Sequence, residues 1–293
     1  MRFIFILIFQ SSFIISFAQQ AKHVVVLGFD GMSAAGIKNS TTPVFNELMK
    51  NGAWTLHARA VMPTSSSPNW ASMIMGTPQK YHSIHSNAWK VKKIKYRSFC
   101  GCEKGQVFPT IFGVLRKQKS AANIVCYHEW DDFARLTEPG VCTVIQDTKD
   151  ENETTEKAIE CIKNQKPDFL FVHIDYVDHV GHAIGHFTPE YYKAIAKADS
   201  ITGAVIAALK SAGIYERTVI LITSDHGGIK TGHGGKTLAE IEIPWIISGP
   251  GIKKGFEITE PVETYFTAPT LAKILGVEPP ACWKGKPVLS AFE

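Results

Sequence analysis

Polar and apolar positions fall into two regimes along this chain. Short, almost wholly apolar runs at residues 23–29, 122–127, 168–174, 218–223 and 243–247 are rich in Val, Ile and Phe and end at polar residues or glycine, as strands do. Between them lie helical patterns at 44–50, 68–75, 111–116, 151–163, 189–211 and 268–275. Runs such as Phe169-Leu170-Phe171-Val172 and Val219-Ile220-Leu221-Ile222 carry no polar face, so they fit sheet positions covered on both sides. The alternation predicts an α/β fold, with a doubly wound, mainly parallel central sheet and helices on both faces. No linker, composition shift or internal repeat divides the chain, which predicts a single domain over residues 19–293.

Residues 1–18 follow another pattern. Arg2 precedes an uncharged, mostly apolar run that is too short for a membrane span of ~20 residues, and Ser16 and Ala18 suit a cleavage site. This reads as a signal peptide and predicts a secreted or periplasmic protein. No cysteine lies near the cleavage point, against a lipoprotein, and no later stretch is long and apolar enough to span a bilayer.

Composition adds limits. With 45% apolar and 20% charged residues the chain has the makings of a sizeable core, which excludes disorder. A net charge of +4 is too weak to imply a nucleic-acid or membrane-surface partner, but it permits an anionic substrate. Six cysteines (Cys100, Cys102, Cys126, Cys142, Cys161 and Cys282) in an exported chain predict disulfides whose pairing is open. Cys100 and Cys102 are expected to pair elsewhere rather than together, and Cys161, in a helical stretch, also suits a buried thiol. The basic run Lys90, Lys92, Lys93, Lys95 and Arg97 reads as a solvated loop or charged edge strand, with an anionic substrate as its alternative partner.

Three predicted strands end in acids: the first in Asp30, the third in Asp175 and Asp178, the fourth in Asp225. Ligands of open α/β sheets bind beyond the carboxyl ends of the strands, so these acids can converge there. Any one of them alone would be an ordinary cap or turn aspartate. Together they come with Gly181-His182, His226-Gly227-Gly228 and Gly232-His233-Gly234-Gly235, and carboxylate with imidazole suits zinc. The run Thr64-Ser65-Ser66-Ser67-Pro68-Asn69-Trp70 opens a helical stretch, with Ser67 as expected N-cap and Pro68 at the first helical position. A hydroxyl there sits beside free backbone N–H groups that favour a phosphate. Its ordinary reading is a serine-rich cap.

With these residues assembled, the chain resembles the alkaline-phosphatase superfamily, most closely its nucleotide pyrophosphatase/phosphodiesterase branch. The resemblance runs from Val24 to the end and rests on several motifs. Ser66-Ser67-Pro68-Asn69 matches that branch's nucleophile motif, Asn87 falls at its phosphoryl-binding asparagine, and Gly76 and His82 fit between them. The resemblance implies one metal on Asp178, His182 and His233 and a second on Asp30, Ser66, Asp225 and His226, both taken as zinc. The glycine before His182 selects this register and leaves Asp175, His179 and His186 in supporting roles.

The resemblance thus implies an exported two-metal phosphoester hydrolase, a phosphodiesterase or nucleotide pyrophosphatase acting on a small-molecule phosphoester through a phosphoserine on Ser66. A phosphomonoesterase is the main alternative. Monoesterases of this superfamily supply an Arg or Lys/Arg pair to the dianion, whereas the corresponding stretch Tyr127-His128-Glu129-Trp130-Asp131-Asp132 offers no fixed cation. Trp130 there offers a ring to a flat leaving group. A sulfatase is disfavoured because Trp70 stands where that branch has Arg, and a phosphoglycerate mutase because that enzyme is cytoplasmic. A non-catalytic metal-binding module is the reading from outside enzymology, separable by turnover that a Ser66→Ala control lacks.

Overall fold

Alternate residues of the first strand, β1 (His23–Phe29), diverge into two apolar layers. Val24 and Val26 pack with Trp70 and Phe112 on one face, whereas Val25 and Leu27 pack with Phe45 and Ile195 on the other. Seven more strands follow: β2 (Gly52–Arg59), β3 (Ile124–His128), β4 (Val144–Asp147), β5 (Phe169–Ile174), β6 (Thr218–Thr223), β7 (Glu242–Ser248) and β8 (Phe256–Glu257). In the computed structural model, described for residues 21–94, 100, 102 and 105–293, they form one sheet in the order β4-β3-β5-β1-β6-β7-β2-β8. From β4 to β6 all neighbours are parallel, while β7 is antiparallel to both β6 and β2. The expected doubly wound, mainly parallel sheet is therefore present, with an antiparallel margin that the sequence pattern did not show.

The helices are α1 (Ala34–Lys38), α2 (Pro43–Lys50), α3 (Ser66–Met75), α4 (Gln79–His82), α5 (Ile111–Gln118), α6 (Glu151–Gln165), α7 (Tyr176–Ala183), α8 (Pro189–Ser211), α9 (Leu238–Ile241) and α10 (Thr267–Leu275). Buried residues of α3, α5 and α10 join the layer around Trp70, and those of α2, α6 and α8 join the layer around Phe45. Burial on both faces explains why β1, β5 and β6 read as continuous apolar runs. None of the helices among the described residues is long and apolar enough to cross a membrane.

Three local expectations change. The helix of the serine run starts earlier than expected: Ser65 is extended (φ −130, ψ 155) and caps it, Ser66 is its first residue, and Pro68 sits within the first turn, where a missing N–H costs nothing. The strand at Gly52–Arg59 escaped notice because its burial alternates irregularly against β7. Cys100 pairs away from Cys102, as expected, with Cys282, whereas Cys102, also expected to pair elsewhere, is a thiol, as are Cys126, Cys142 and Cys161. The signal-peptide stretch and the positions of Lys95 and Arg97 lie outside the described residues; Lys90 and Lys92 are exposed.

Candidate active site

The three acid-bearing strands are neighbours in the sheet, in the order β5-β1-β6, although they are far apart in sequence. Their carboxyl ends place Asp30, Asp178 and Asp225 in one buried crevice, at 1%, 6% and 0% exposure. Gly31 makes the close approach possible: at φ +68 it passes so near Asp178 that a Cβ would lie 2.5 Å from its Oδ1. The Gly31 N–H donates to Asp225 Oδ1 (3.3 Å), and Tyr191 Oη of α8 donates to the Gly31 carbonyl (2.7 Å).

Asp30 is oriented from behind. Its Oδ2 accepts from Trp70 Nε1 (2.9 Å) and lies 3.2 Å from His173 Nε2, which leaves Oδ1 facing His226 at 3.4 Å. Burial raises the Asp30 carboxyl, but His173, His226 and Trp70 outweigh it and hold the group well below the usual carboxylate range. Trp70 is wholly buried, and its ring lies where a Cβ on Gly28 would stand, so β1 needs glycine one residue before Phe29. Neither Trp70 nor His173 was assigned this role from sequence. The available signal was a histidine inside an otherwise apolar strand.

Ser66 opens α3 with its Oγ 3.3 Å from His226 Nε2. The loop before it is shaped by Asn69, whose buried side chain accepts from Val61 N–H (2.7 Å) and donates to the carbonyls of Val61, Pro63 and Ser65. The asparagine of the Ser66-to-Asn69 motif is thus a clamp on the loop. Asn87 reaches in from an exposed turn, its Oδ1 accepting from the Ser67 N–H (2.8 Å). That bond leaves the Nδ2 donors for a ligand.

The histidines show a common arrangement. His182 Nδ1 donates to Thr231 O (2.9 Å), His226 Nδ1 to Gly227 O (2.8 Å) and His233 Nδ1 to Thr64 O (2.8 Å). A carbonyl only accepts, so each bond puts hydrogen on Nδ1 and turns Nε2 toward the crevice, the orientation metal-binding imidazoles need. There the Nε2 atoms of His182 and His233 stand 3.1 Å apart, His182 Nε2 is 3.1 Å from Asp178 Oδ2, and His226 Nε2 is 3.2 Å from Asp225 Oδ2. Asp30 Oδ1, Asp178 Oδ1 and Asp225 Oδ2 are buried with no hydrogen-bond partner among the described residues. With so many acceptors facing one another, the crevice suits a cation.

The titration behaviour agrees. Burial pushes the His226 imidazole down to about 4, and Asp178 pulls the half-exposed His182 up to about 9, so a proton is held on His182 against the Asp178 carboxylate. Burial, with Asp30 and Asp178 nearby, raises Asp225 well above the carboxylate range. The donor sets Asp30, Asp225, His226 and Asp178, His226, His233 each come within 4.8 Å, and the rings of His226 and His233 stack at 3.8 Å, so the two clusters are contiguous. Asp178, His182 and His233, whose ligand atoms lie within 3.9 Å of one another, could hold one ion, and Asp30, Asp225 and His226, with Ser66 Oγ beside His226, another.

The supporting residues divide. Asp175 joins Asp30 and Asp178 in a third set of ligand atoms within 4.8 Å, and burial plus Asp30 raises it to about 7, so it belongs closer to the site than expected. His186 packs its ring against Gly181 and Gly228, 3.9 Å from Asp178 Oδ1, and His179 is exposed. Trp130 lies half buried, its ring 6.3 Å from that of His173. Beyond the stretch that offered no cation, Arg135 reaches the Asn87 turn, a contact the sequence reading missed.

A sheet of this order with its acids at the ends of β5, β1 and β6 has the alkaline-phosphatase-like α/β architecture. The murine ectonucleotide pyrophosphatase/phosphodiesterase 5, solved as an inactive form in complex with AMP, superposes with a TM-score of 0.76 at 17% identity, over 94% of this chain and 100% of that one. A 2-O glycosaminoglycan sulfatase superposes with a TM-score of 0.70 at 15% identity, over 93% and 74%. The profile of the type I phosphodiesterase / nucleotide pyrophosphatase family matches residues 24–241, and the chain belongs to that family.

Among curated relatives, ectonucleotide pyrophosphatase/phosphodiesterase family member 1 of Rattus norvegicus is 24% identical over 77% of this chain and 26% of its own length. GPI ethanolamine phosphate transferase 1 of Mus musculus is 26% identical over 80% and 27%. Arylsulfatase K of Danio rerio is 37% identical, but over only 32% and 20%. The matches thus span no more than about a quarter of these longer proteins.

Proposed function

We propose that this chain is a metal-dependent phosphodiesterase or nucleotide pyrophosphatase that works through a phosphoserine on Ser66. The observation that carries this reading is the placement of Ser66 Oγ, at a helix start and 3.3 Å from His226, against two contiguous clusters of buried acceptors. Two divalent ions bound there, taken as zinc, would polarise the phosphoryl oxygens and make a coordinated hydroxyl more acidic.

The chain's own residues supply the rest. Ser66 Oγ releases its proton to solvent and attacks phosphorus as the bond to the departing alkoxide oxygen breaks, and the alkoxide takes a proton from water; a second water then attacks the phosphoserine, releasing the phosphoryl product and restoring the Ser66 hydroxyl. The Asn87 Nδ2 group and the Ser66 N–H at the start of α3 meet the equatorial oxygens. Trp70 and His173 hold Asp30, and the Nδ1 bonds of three histidines hold their rings, so the site does not have to reorganise during the reaction. We read residues 1–18 as a cleaved signal and residues 19–293 as the catalytic domain of an exported enzyme.

The test compares kcat/KM for bis-p-nitrophenyl phosphate and p-nitrophenyl phosphate on zinc-loaded protein, within a panel of nucleotides and other esters. A diester preference is expected. A monoester advantage of about tenfold, ~1.4 kcal/mol in transition-state binding, overturns the diesterase assignment and leaves the serine mechanism standing.

A further inference from the structure

The turn that presents Asn87 is closed from within by the Trp89 N–H, which donates to the Ser86 carbonyl at 3.2 Å. His85 to Ala88 are all exposed, and Asn87 reaches the site through one bond, from the Ser67 N–H. Support from outside the turn comes from Arg135, in a short 3-10 helix (Asp131–Leu136) that follows β3. Its Nη2 donates to the Asn87 main-chain carbonyl and lies 2.7 Å from Asp132 Oδ2, while its guanidinium covers the buried Trp89 ring at 5.3 Å. One side chain therefore grips both the carbonyl of the asparagine and the anchor two residues beyond it.

We propose that Arg135 is a positioning residue that acts on the phosphoryl group through Asn87. This rests on the role given to Asn87 above. It also addresses the substrate class, because the Arg135 charge is committed to Asp132 and a carbonyl instead of standing free for a dianion. A site so built suits the single charge of a phosphodiester. A donor misplaced by about 1 Å costs up to ~10²-fold in rate, so a loosened Asn87 is expected to be felt in turnover.

The experiment is a double-mutant cycle on the full mature chain with Arg135→Ala, Asn87→Ala, both together, and Arg135→Lys, assayed on the diester and the monoester. Hydrogen exchange at the Ser67 amide is followed in parallel. Arg135→Ala should lower kcat/KM about tenfold for both esters, have no further effect once Asn87 is Ala, speed exchange at Ser67, and be partly restored by Lys. Additive losses, a selective loss of monoester turnover, or unchanged exchange at Ser67 would overturn the proposal, the first two by showing direct contact with substrate. If the wild-type protein cleaves neither ester, the phosphodiesterase reading fails and exchange at Ser67 alone decides the role of Arg135. Should Arg135→Ala not fold, Arg135→Lys runs through the same cycle.

Discussion

Ser66 Oγ lies 3.3 Å from Nε2 of His226, a residue delivered by a different strand of the sheet. With His226 Nδ1 donating to the Gly227 carbonyl, Nε2 presents a lone pair to the serine and its surroundings. Ser66→Ala should remove nearly all turnover while circular dichroism stays that of the wild type. Ser65→Ala and Ser67→Ala should keep most activity; death of either one instead moves the nucleophile.

Zinc binding should saturate at about two ions per chain, because two donor clusters share the crevice. Asp178→Asn should lower this to about one. The His182 imidazole, held to about 9 by Asp178, must lose its proton before it can bind a metal. Below that pH protons compete, so apparent zinc affinity should rise roughly tenfold per pH unit between pH 7 and 9, with proton release seen by calorimetry in two buffers. A stoichiometry near zero after refolding with zinc defeats the metal assignment.

Trp70→Phe deletes the Nε1 donor to Asp30 Oδ2 and keeps most of the buried ring. Zinc affinity should fall roughly 10–100-fold, as for other groups that orient a metal ligand, and stability by ~1–2 kcal/mol. Competition with a chelator and urea unfolding measure the two effects. An unchanged affinity would mean that His173 alone suffices to hold Asp30.

Gly181→Ala would put a Cβ 2.4 Å from Cε1 of His186, a ring that Gly228 also crowds. Without room to move, the variant should lose ~1–3 kcal/mol. Adding His186→Ala should recover part of that loss, because the clash is with this ring. Equal losses in the presence and absence of His186 would place the strain elsewhere in α7.

His82 is buried beside Ser72 Oγ (3.0 Å) and accepts the Ile84 N–H at Nδ1 (3.1 Å), and burial lowers it to about 3. Its ordinary value is 6.5, so folding favours the neutral ring. Its contribution is complete above pH 6.5 and fades as pH falls toward 3. Between pH 7 and 5 the wild type should lose about 2 kcal/mol more than His82→Gln in urea unfolding. Parallel losses in the two proteins would show that the ring protonates freely in the fold.

Much of this was legible in the chain. Strand cores at β1, β5 and β6 announce themselves because a strand buried on both faces has no polar period to hide in. Asp30, Asp225 and His226 stand out because an acid or imidazole at the end of such a strand is costly to bury unless it has a task, and His182 and His233 because each follows a glycine, with Asp178 four residues before His182. β2 was not legible, since its burial depends on where β7 lies, nor was the Ser65 cap, since four hydroxyl residues in a row compete for that position.

The sequence by itself determined which side chains carry charge, lone pairs and hydroxyls, and that they sit where strands end. Only the tertiary structure decided that β5, β1 and β6 are adjacent, and so that Asp30, Asp178 and Asp225 meet. The same holds for Trp70 and His173 behind Asp30, for Asp175 beside the clusters, and for Arg135 on the Asn87 carbonyl. The reason is physical. A residue type and its local period report the chain's own geometry over a few positions, whereas these contacts join segments tens to hundreds of residues apart and depend on strand order, which no local pattern encodes.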